Sequence, residues 1–277
     1  MVRCQKTVAF LLQWLSLLFL SGMAVESSVT GTPSIARHAE VDLGTTLVAI
    51  KYKDGVVVAA DSRTSVSGYV SHRYADKIVP VFSSSRSSCV LCRSGSAADT
   101  QWLANQARCE FQDRMARYGG LCPSLSQIAH YLKGQAYQSD SELSISLIVA
   151  GYDAMEQSAK LYTISASGAL LEEVQYASAG SGSTFVLGYL DHHVRSQVTA
   201  LEEDQAIDLC QRAIELAIQR DGSSGGIVRL FICNATGGVR ELTPRVPNVN
   251  PTALPPPATT TKTTTSPLAG FQDAQLP

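Results

Sequence analysis

The sequence lacks a strong net charge of either sign. Its 22 lysines and arginines against 24 aspartates and glutamates give a formal net charge of −2 at pH 7. A basic field that would attract nucleic acid is therefore missing, and so is an acidic field for cationic partners. With 45% hydrophobic and 17% charged residues, the composition is typical of a globular protein. The length permits one large domain or two small ones.

Cysteine is present but does not follow the spacing of a disulfide-rich protein. The chain has seven cysteines, an odd number scattered along its length. Such usage is typical of a reducing compartment, where free cysteines act as small buried hydrophobic residues. The one close pair, Cys89 and Cys92, lies in an apolar run over 88–93 that predicts a strand. Their odd offset places the two side chains on opposite faces of that strand, which disfavours a shared metal ion or a disulfide.

Signatures of phosphate and metal binding are missing as well. The chain contains no Gly-Lys-Ser/Thr pattern of the kind that cradles phosphates. Its histidines do not form a metal-ligand spacing, so we expect surface or packing roles for them. We therefore predict that the protein uses neither a metal nor a cofactor. The histidines are His38, His72, His130, His192 and His193.

Both ends of the chain differ in composition from its middle. Arg3 and Lys6 precede an apolar stretch over 8–25 that ends in small residues, as a secretory signal does. The same stretch also fits a removable prosegment over 1–44, whose apolar part packs on a partner before removal. From Pro244 onward the chain is rich in Thr and Pro, which predicts a disordered or extended tail over 244–277. Residues 45–243 remain for one domain with a large core.

The pattern of this middle region is that of an α+β domain. Asp54-Gly55 lies between two β-branched runs and predicts a hairpin. Apolar residues spaced four apart predict two long helices, and Thr199-x-x-Glu202 predicts a capping box that opens a third. The order of strands, two helices, strands, helices and strands indicates stacked antiparallel sheets covered by helices. The predicted strands are 46–51, 56–60, 78–81, 88–93, 144–152, 160–165, 169–175, 227–233 and 239–242, and the first two helices are 96–118 and 124–138.

A cut after Gly44 would turn Thr45 into a self-sufficient nucleophile. The hydroxyl and a free α-amine would then belong to one residue, and an α-amine has a pKa of about 7.7–8.0, close to the best value for a general base. Such an amine takes the hydroxyl proton directly or through one water, so no histidine is needed. Before the cut the same nitrogen is an amide, so we expect the precursor to be inert. Gly44 has no Cβ, which lets the hydroxyl approach its carbonyl.

Several further blocks follow Gly44-Thr45-Thr46, and together they resemble a proteasome beta subunit over residues 45–242. The resemblance implies an N-terminal nucleophile hydrolase fold, a four-layer αββα sandwich of two antiparallel sheets flanked by helices. It also implies a threonine-type endopeptidase of the 20S proteasome core, processed autocatalytically at Gly44/Thr45 and acting in ubiquitin-linked protein degradation. The blocks are 44–46, 58–63, 76–77, 93–99, 180–183 and 220–226.

The resemblance assigns catalytic roles to individual residues. Thr45 matches the nucleophile and its freed amine the base. Lys77 matches the family lysine whose ammonium stabilises the oxyanionic hydroxyl, and Asp61 matches the carboxylate that pairs with this lysine. Gly95 matches the glycine whose backbone N–H forms the oxyanion hole. The residues that match the network around the free amine are Ser181, Asp221 and Ser224.

The block over 92–101 resembles the caspase-like, post-acidic catalytic type of beta subunit (beta type one). Arg93 falls where that type carries an arginine at the base of the primary specificity pocket. A fixed cation there would favour Glu or Asp before the scissile bond. An internal salt bridge of Arg93 is the alternative. The other pocket positions implied by the resemblance are Thr64, Ala75, Val79, Ala97 and Gln101.

Some features depart from the family, and they leave other functions open. The loop over 83–88 is several residues long, the Thr/Pro tail has no counterpart, and the first 25 residues are unusually apolar for a prosegment. The resemblance implies other proteasome alpha and beta subunits as partners in stacked heteroheptameric rings, unfolded polypeptides as substrates, no nucleic acid or membrane, and a place in cytoplasm and nucleus. The alternatives are a non-catalytic ring subunit, and a secreted or membrane-tethered binding protein with the tail as a stalk.

Overall fold

A computed structural model describes residues 44–248, apart from 67, 85–86, 139–144, 166, 196–199 and 237. Several predicted features lie outside the described residues. They are the apolar stretch 8–25, residues 1–43 of the predicted prosegment, Thr199 of the predicted capping box and residues 249–277 of the predicted tail. The strands in these ranges are β1 (Leu47–Tyr52), β2 (Gly55–Ala60), β3 (Thr64–Val66), β4 (Tyr69–His72), β5 (Ile78–Ser83), β6 (Ser88–Gly95), β7 (Ile145–Asp153), β8 (Ser158–Ile164), β9 (Leu170–Glu173), β10 (Tyr176–Ala179), β11 (Arg229–Asn234) and β12 (Gly238–Glu241). The helices are α1 (Ala97–Arg117), α2 (Leu125–Gln138), α3 (Ser183–Leu190), which a π-helical turn continues over Asp191–Arg195, and α4 (Glu203–Arg220).

Two antiparallel sheets of five strands form the centre of the domain. The first has the strand order β10-β1-β2-β11-β12, and the second has the order β5-β6-β7-β8-β9. Strands β3 and β4 form a separate hairpin. The second sheet follows chain order throughout, whereas the first joins strands from the two ends and the middle of the domain.

The alternation of side chains along β1 assigns each residue to one of two cores. Val48 and Ile50 pack on one face with residues of α3 and α4, whereas Leu47 and Ala49 face residues of the second sheet. The other face of the second sheet packs against α1 and α2. The layers therefore follow one another as helices, sheet, sheet and helices, which confirms the predicted four-layer α+β sandwich.

Local signals in the sequence predicted several elements closely. The hairpin of β1 and β2 turns at Lys53–Asp54, as the Asp-Gly signal indicates. Helix α1 begins after Ser96, whose side-chain oxygen accepts from the Asp99 N–H at 3.4 Å. Helix α4 begins later than predicted, because Glu202 is the N-cap residue and forms the capping box with Gln205.

Other elements were missed. The predicted strand over 169–175 corresponds to β9 alone, after which the chain crosses to the first sheet and forms β10 beside β1. The β3–β4 hairpin and α3 were not predicted either. Beyond the predicted tail boundary at residue 244, the chain still contacts the domain, since Arg245 and Val228 exchange backbone hydrogen bonds of 2.8 and 2.9 Å. Arg245 therefore pairs with the folded domain, one residue beyond the predicted start of the tail.

Cys89 and Cys92 point to opposite faces of β6, as their odd offset predicts. Cys89 lies in the core against α1 and α2, and Cys92 lies in the core between the sheets. Burial raises the pKa of both thiols, so both stay protonated and unreactive at neutral pH. None of the described helices is both long and apolar enough to cross a membrane.

Candidate active site

One edge of the first sheet gathers most of the residues assigned to catalysis. Leu47 at the start of β1 is paired with the last residues of β2 and β10. Thr45, Asp61 and Ser181 each lie one or two residues beyond these positions, so antiparallel pairing brings them together. The loop over 221–226 reaches the same edge, because the first residue of β11 is also paired with the end of β2.

Lys77 approaches this edge from the second sheet, where it directly precedes β5. Its Nζ donates to Asp61 Oδ1 at 2.8 Å and to the Gly44 carbonyl oxygen at 2.9 Å. Only 6% of the lysine side chain and none of the aspartate side chain is exposed. Burial has the largest effect on Lys77 and lowers its pKa, while the charge of Asp61 acts in the opposite direction.

Donors surround the buried carboxylate of Asp61. Oδ1 accepts from the Thr46 N–H at 2.9 Å as well as from Lys77. Oδ2 accepts from the backbone N–H groups of Gly225 at 2.9 Å and Arg63 at 3.2 Å. A buried carboxylate is costly unless such bonds fill its lone pairs. These bonds therefore fix Asp61, and with it Lys77, beside Thr45.

Two chains of hydrogen bonds end at the carboxylate of Asp221. In the first, the Thr45 N–H donates to Ser181 Oγ at 3.2 Å, and Ser181 Oγ donates to Asp221 Oδ2 at 2.7 Å. In the second, Ser224 Oγ donates to Asp221 Oδ2 at 2.6 Å and lies 2.8 Å from Thr46 Oγ1. A carboxylate only accepts, so the hydrogen of Ser224 points to Asp221 and Thr46 donates to Ser224. Thr46 thus belongs to the site, although the sequence reasoning assigned it no role.

Gly44 fits its position because of the loop that packs against it. A Cβ at residue 44 would lie 2.0 Å from the Cβ and 2.2 Å from the carbonyl oxygen of Ser223. A side chain at residue 44 would therefore collide with Ser223, a contact that the sequence does not predict. That hydroxyl does lie against Gly44, since Thr45 Oγ1 donates to the Gly44 carbonyl oxygen at 2.8 Å.

A cavity of about 390 Å³ opens beside Thr45. Gly95, the last residue of β6, reaches it with a φ of 102°, a left-handed value that glycine adopts readily. Most of the residues assigned to the specificity pocket line this cavity, and so do three that the sequence reasoning did not assign. The assigned residues are Thr64, Ala75, Arg93, Ala97 and Gln101, and the additional ones are His72, Asp76 and Thr100.

Val79 is the exception among the residues assigned to the pocket. Ile78 faces the core between the sheets, and strand alternation therefore turns Val79 to the other side of β5. There Val79 packs against the core beneath α1 and α2. It is not among the residues that line the cavity in the described part of the chain.

The guanidinium of Arg93 lies at this cavity without a carboxylate partner among the described residues. Nη2 donates to the Asp76 carbonyl oxygen at 2.5 Å, and Nη1 lies 3.5 Å from both the Ala97 carbonyl oxygen and Thr100 Oγ1. Burial lowers the pKa of Arg93, and the charge of Asp76 partly offsets this. The internal salt bridge considered as an alternative is therefore not formed in the ranges that the structure covers.

Comparisons with known proteins found a family model and several relatives that this chain resembles. A sequence model of the family described as "Proteasome subunit" matches residues 41–233. The chain is 37% identical over 201 residues to Proteasome subunit beta type-1 of Saccharomyces cerevisiae, covering 73% of this chain and 88% of that protein. It is 37% identical over 206 residues to Proteasome subunit beta type-6 of Dictyostelium discoideum, covering 74% of this chain and 91% of that protein. It is 35% identical over 210 residues to Proteasome subunit beta type-9 of Homo sapiens, covering 74% of this chain and 89% of that protein.

Proposed function

Since the chain belongs to the proteasome beta subunit family, we propose that it is a catalytic subunit of the proteasome core. In this role it is a threonine-type endopeptidase that cleaves preferentially after acidic residues. The observation that carries the proposal is the meeting of two donors at one carbonyl. Thr45 Oγ1 and Lys77 Nζ both donate to the Gly44 oxygen, at 2.8 and 2.9 Å.

This contact supports self-processing at the bond between Gly44 and Thr45. The Thr45 hydroxyl attacks the Gly44 carbonyl carbon, and the negative charge that develops on the carbonyl oxygen faces the Lys77 ammonium. The C–N bond then breaks, the nitrogen takes the hydroxyl proton, and glycine is left as an ester on Oγ1. Water then hydrolyses that ester, which frees the Thr45 hydroxyl beside the α-amine that the broken C–N bond has already released. The prosegment over 1–44 is released in this step.

The mature site uses the same groups on a substrate. The freed amine of Thr45 acts as general base for its own hydroxyl, and Ser181 with Asp221 holds that amine in place through the bonds already formed by the Thr45 nitrogen. Lys77, fixed by Asp61, stabilises the nucleophilic oxygen. The backbone N–H of Gly95, at the cavity beside Thr45, is the proposed donor to the oxyanion of the substrate.

The acidic preference is proposed on the environment of Arg93. Its guanidinium lies at the cavity beside Thr45, and its described partners are uncharged oxygens. A partly desolvated cation without a carboxylate partner is stabilised by a substrate carboxylate, which it can bind through two N–H groups. A Glu or Asp side chain before the scissile bond supplies this group.

Assembly with other proteasome subunits follows from the family. We further propose that the assembly is the stacked ring of alpha and beta subunits, that it degrades unfolded polypeptides in cytoplasm and nucleus, and that residues beyond the domain form a Thr/Pro-rich tail. Whether residues 8–25 also act as a signal is decided by the N-terminus of the mature chain.

The proposal is tested in assembled particles that carry variants of Thr45. We expect Thr45→Ala to remove cleavage after glutamate in fluorogenic peptides, while Thr45→Ser retains a measurable part of it because a hydroxyl and an amine are still present. Post-glutamate cleavage that is unchanged in Thr45→Ala particles would show that this chain is a non-catalytic ring subunit.

A further inference from the structure

Asp76 contacts two arginines, Arg93 through its backbone carbonyl and Arg229 through its carboxylate. Its backbone carbonyl accepts from Arg93 Nη2 at 2.5 Å. Its carboxylate lies elsewhere, with Oδ1 at 2.7 Å from Arg229 Nη2. Asp76 is also the acidic residue whose charge acts on Arg93. The acidic group best placed to neutralise Arg93 is therefore held by another cation.

Arg229 is fixed by the first sheet. It is the first residue of β11, where it is paired with Ala60 of β2. Its Nη1 lies 2.8 Å from Glu241 Oε1 on the neighbouring strand β12. The side chain of Arg229 is 20% exposed, and that of Asp76 is 65% exposed. Arg229 is thus a well-anchored cation that pairs with a solvent-facing carboxylate.

An ion pair with so exposed a partner contributes little to stability. Its main consequence is the position of the Asp76 carboxylate. Released from Arg229, the Asp76 carboxylate is free to reorient toward Arg93, on which its charge already acts and whose guanidinium contacts the carbonyl of the same residue. An acidic substrate side chain would then have to compete with it for the guanidinium.

We propose that Arg229 is a specificity-determining positioning residue. It holds the Asp76 carboxylate away from Arg93, so that Arg93 stays available for an acidic side chain before the scissile bond. The effect is indirect, since Arg229 is not among the described residues that line the cavity. This proposal rests on the proposed post-acidic function of Arg93.

The test compares assembled particles that carry Arg229→Gln, alone and together with Asp76→Asn. The measurement is kcat and KM for two fluorogenic peptides that differ only in glutamate or leucine before the scissile bond. With Arg229→Gln we expect the KM of the glutamate peptide to rise about fivefold, as is typical of competition by a partly exposed ion pair, with its kcat unchanged. The leucine peptide should be unaffected. The double variant should return to near the wild-type KM, because the released carboxylate is gone.

A conservative variant and a milder one complete the design. Arg229→Lys keeps a cation for Asp76 and should retain most of the preference. Glu241→Gln loosens the anchor of Arg229 without removing it, and should raise the KM of the glutamate peptide about twofold even if Arg229→Gln does not assemble.

The proposal is overturned if Arg229→Gln weakens cleavage of both peptides equally, which is the effect of a merely structural residue. It is also overturned if adding Asp76→Asn to Arg229→Gln does not restore the KM of the glutamate peptide. The same holds if the assembled Arg229→Gln particle keeps the wild-type ratio of the two KM values, glutamate peptide to leucine peptide. A wild-type particle without any preference for glutamate would instead overturn the proposed function of Arg93. A preference that Arg93→Ala removes and Arg229→Gln leaves intact overturns the role of Arg229 alone.

Discussion

Lys77 and Asp61 form a buried ion pair, with Nζ and Oδ1 2.8 Å apart. The same Nζ donates to the carbonyl oxygen of the peptide bond between Gly44 and Thr45, at 2.9 Å. The lysine comes from the second sheet and the aspartate from the first. Breaking such a pair leaves an uncompensated charge in the interior, which costs about 3–5 kcal/mol. The pair therefore ties the packing of the two sheets to the position of the cation beside Thr45.

The pH dependence of catalysis should report on this pair. Burial lowers the pKa of Lys77 from the ordinary value of 10.5, and Asp61 opposes this shift. As the pH rises, Lys77 loses its charge at a lower pH than an exposed lysine does. The loss of kcat/KM with rising pH should therefore begin before pH 10.5 is reached. Asp61→Asn removes the opposing charge, and the fall should therefore move to still lower pH. Asp54→Asn, in the exposed turn of the first hairpin, is the matched control and should leave the profile in place. A profile that Asp61→Asn does not move would contradict the role of the pair.

Processing should depend on the absence of a side chain at residue 44. Gly44→Ala places a Cβ 2.0 Å from Ser223 and forces the carbonyl away from the Thr45 hydroxyl. A misplacement of the reacting groups by about 1 Å costs about 100-fold in rate. We therefore expect uncut precursor to accumulate, which is measured in assembled particles. Gly222→Ala is the control in the same loop, because nothing lies within 4 Å of its Cβ position. Equal processing of the two variants would show that Gly44 is not held as described.

The hydroxyl of Thr46 should matter more than its bulk. It donates to Ser224, whose own hydrogen goes to Asp221. Thr46→Val keeps the shape but removes this donor at a fully buried position, and an unsatisfied buried group costs about 1–3 kcal/mol. We expect kcat to fall about tenfold with little change in KM, and Thr46→Ser to recover it. If Thr46→Val and Thr46→Ser have the same kcat, the hydrogen-bond chain from Thr46 to Asp221 has no part in catalysis.

Selectivity should follow the charge of Arg93. Arg93→Ala removes the cation at the cavity and should abolish the preference for acidic residues, while Thr45 still reacts with a leucine peptide. Arg93→Lys keeps the charge but loses the planar fork, so it should keep part of the preference. A fluorogenic peptide panel measures both variants. Unchanged selectivity in Arg93→Ala particles would remove Arg93 from the specificity pocket.

Sequence patterns predicted the elements that local signals define. The β1–β2 hairpin follows from Asp54-Gly55, and α1 follows from its four-residue spacing and the Ser96 cap. The strand over 169–175 was only partly right, because the chain leaves one sheet after β9 and joins the other as β10. Hydropathy indicates a strand but not the sheet it belongs to. Helix α3 was missed because only eight residues form it between glycine-rich and unpatterned segments.

The same limit applies to the site. Thr45, Asp61 and Lys77 were assigned because they lie in blocks with family counterparts. Antiparallel pairing of β1 and β2 brings Asp61 to Thr45, whereas Lys77 reaches them from the second sheet. Val79 packs beneath α1 and α2 and does not line the described cavity, because a matched position does not state which face of β5 its side chain takes. The contact between Asp76 and Arg229 joins residues 153 positions apart from different sheets. Such a contact depends on how the two sheets pack, and no local signal indicates it.

The N-terminal sequence of this subunit, isolated from assembled particles, tests the central claim most directly. If Thr45 is the nucleophile and its freed amine the base, the mature chain begins at Thr45, and Thr45→Ala leaves the chain uncut at this bond. A mature chain that begins near Val25, or one that keeps residue 44 in active particles, would contradict the account, because the nitrogen of Thr45 would then remain an amide and have no basicity.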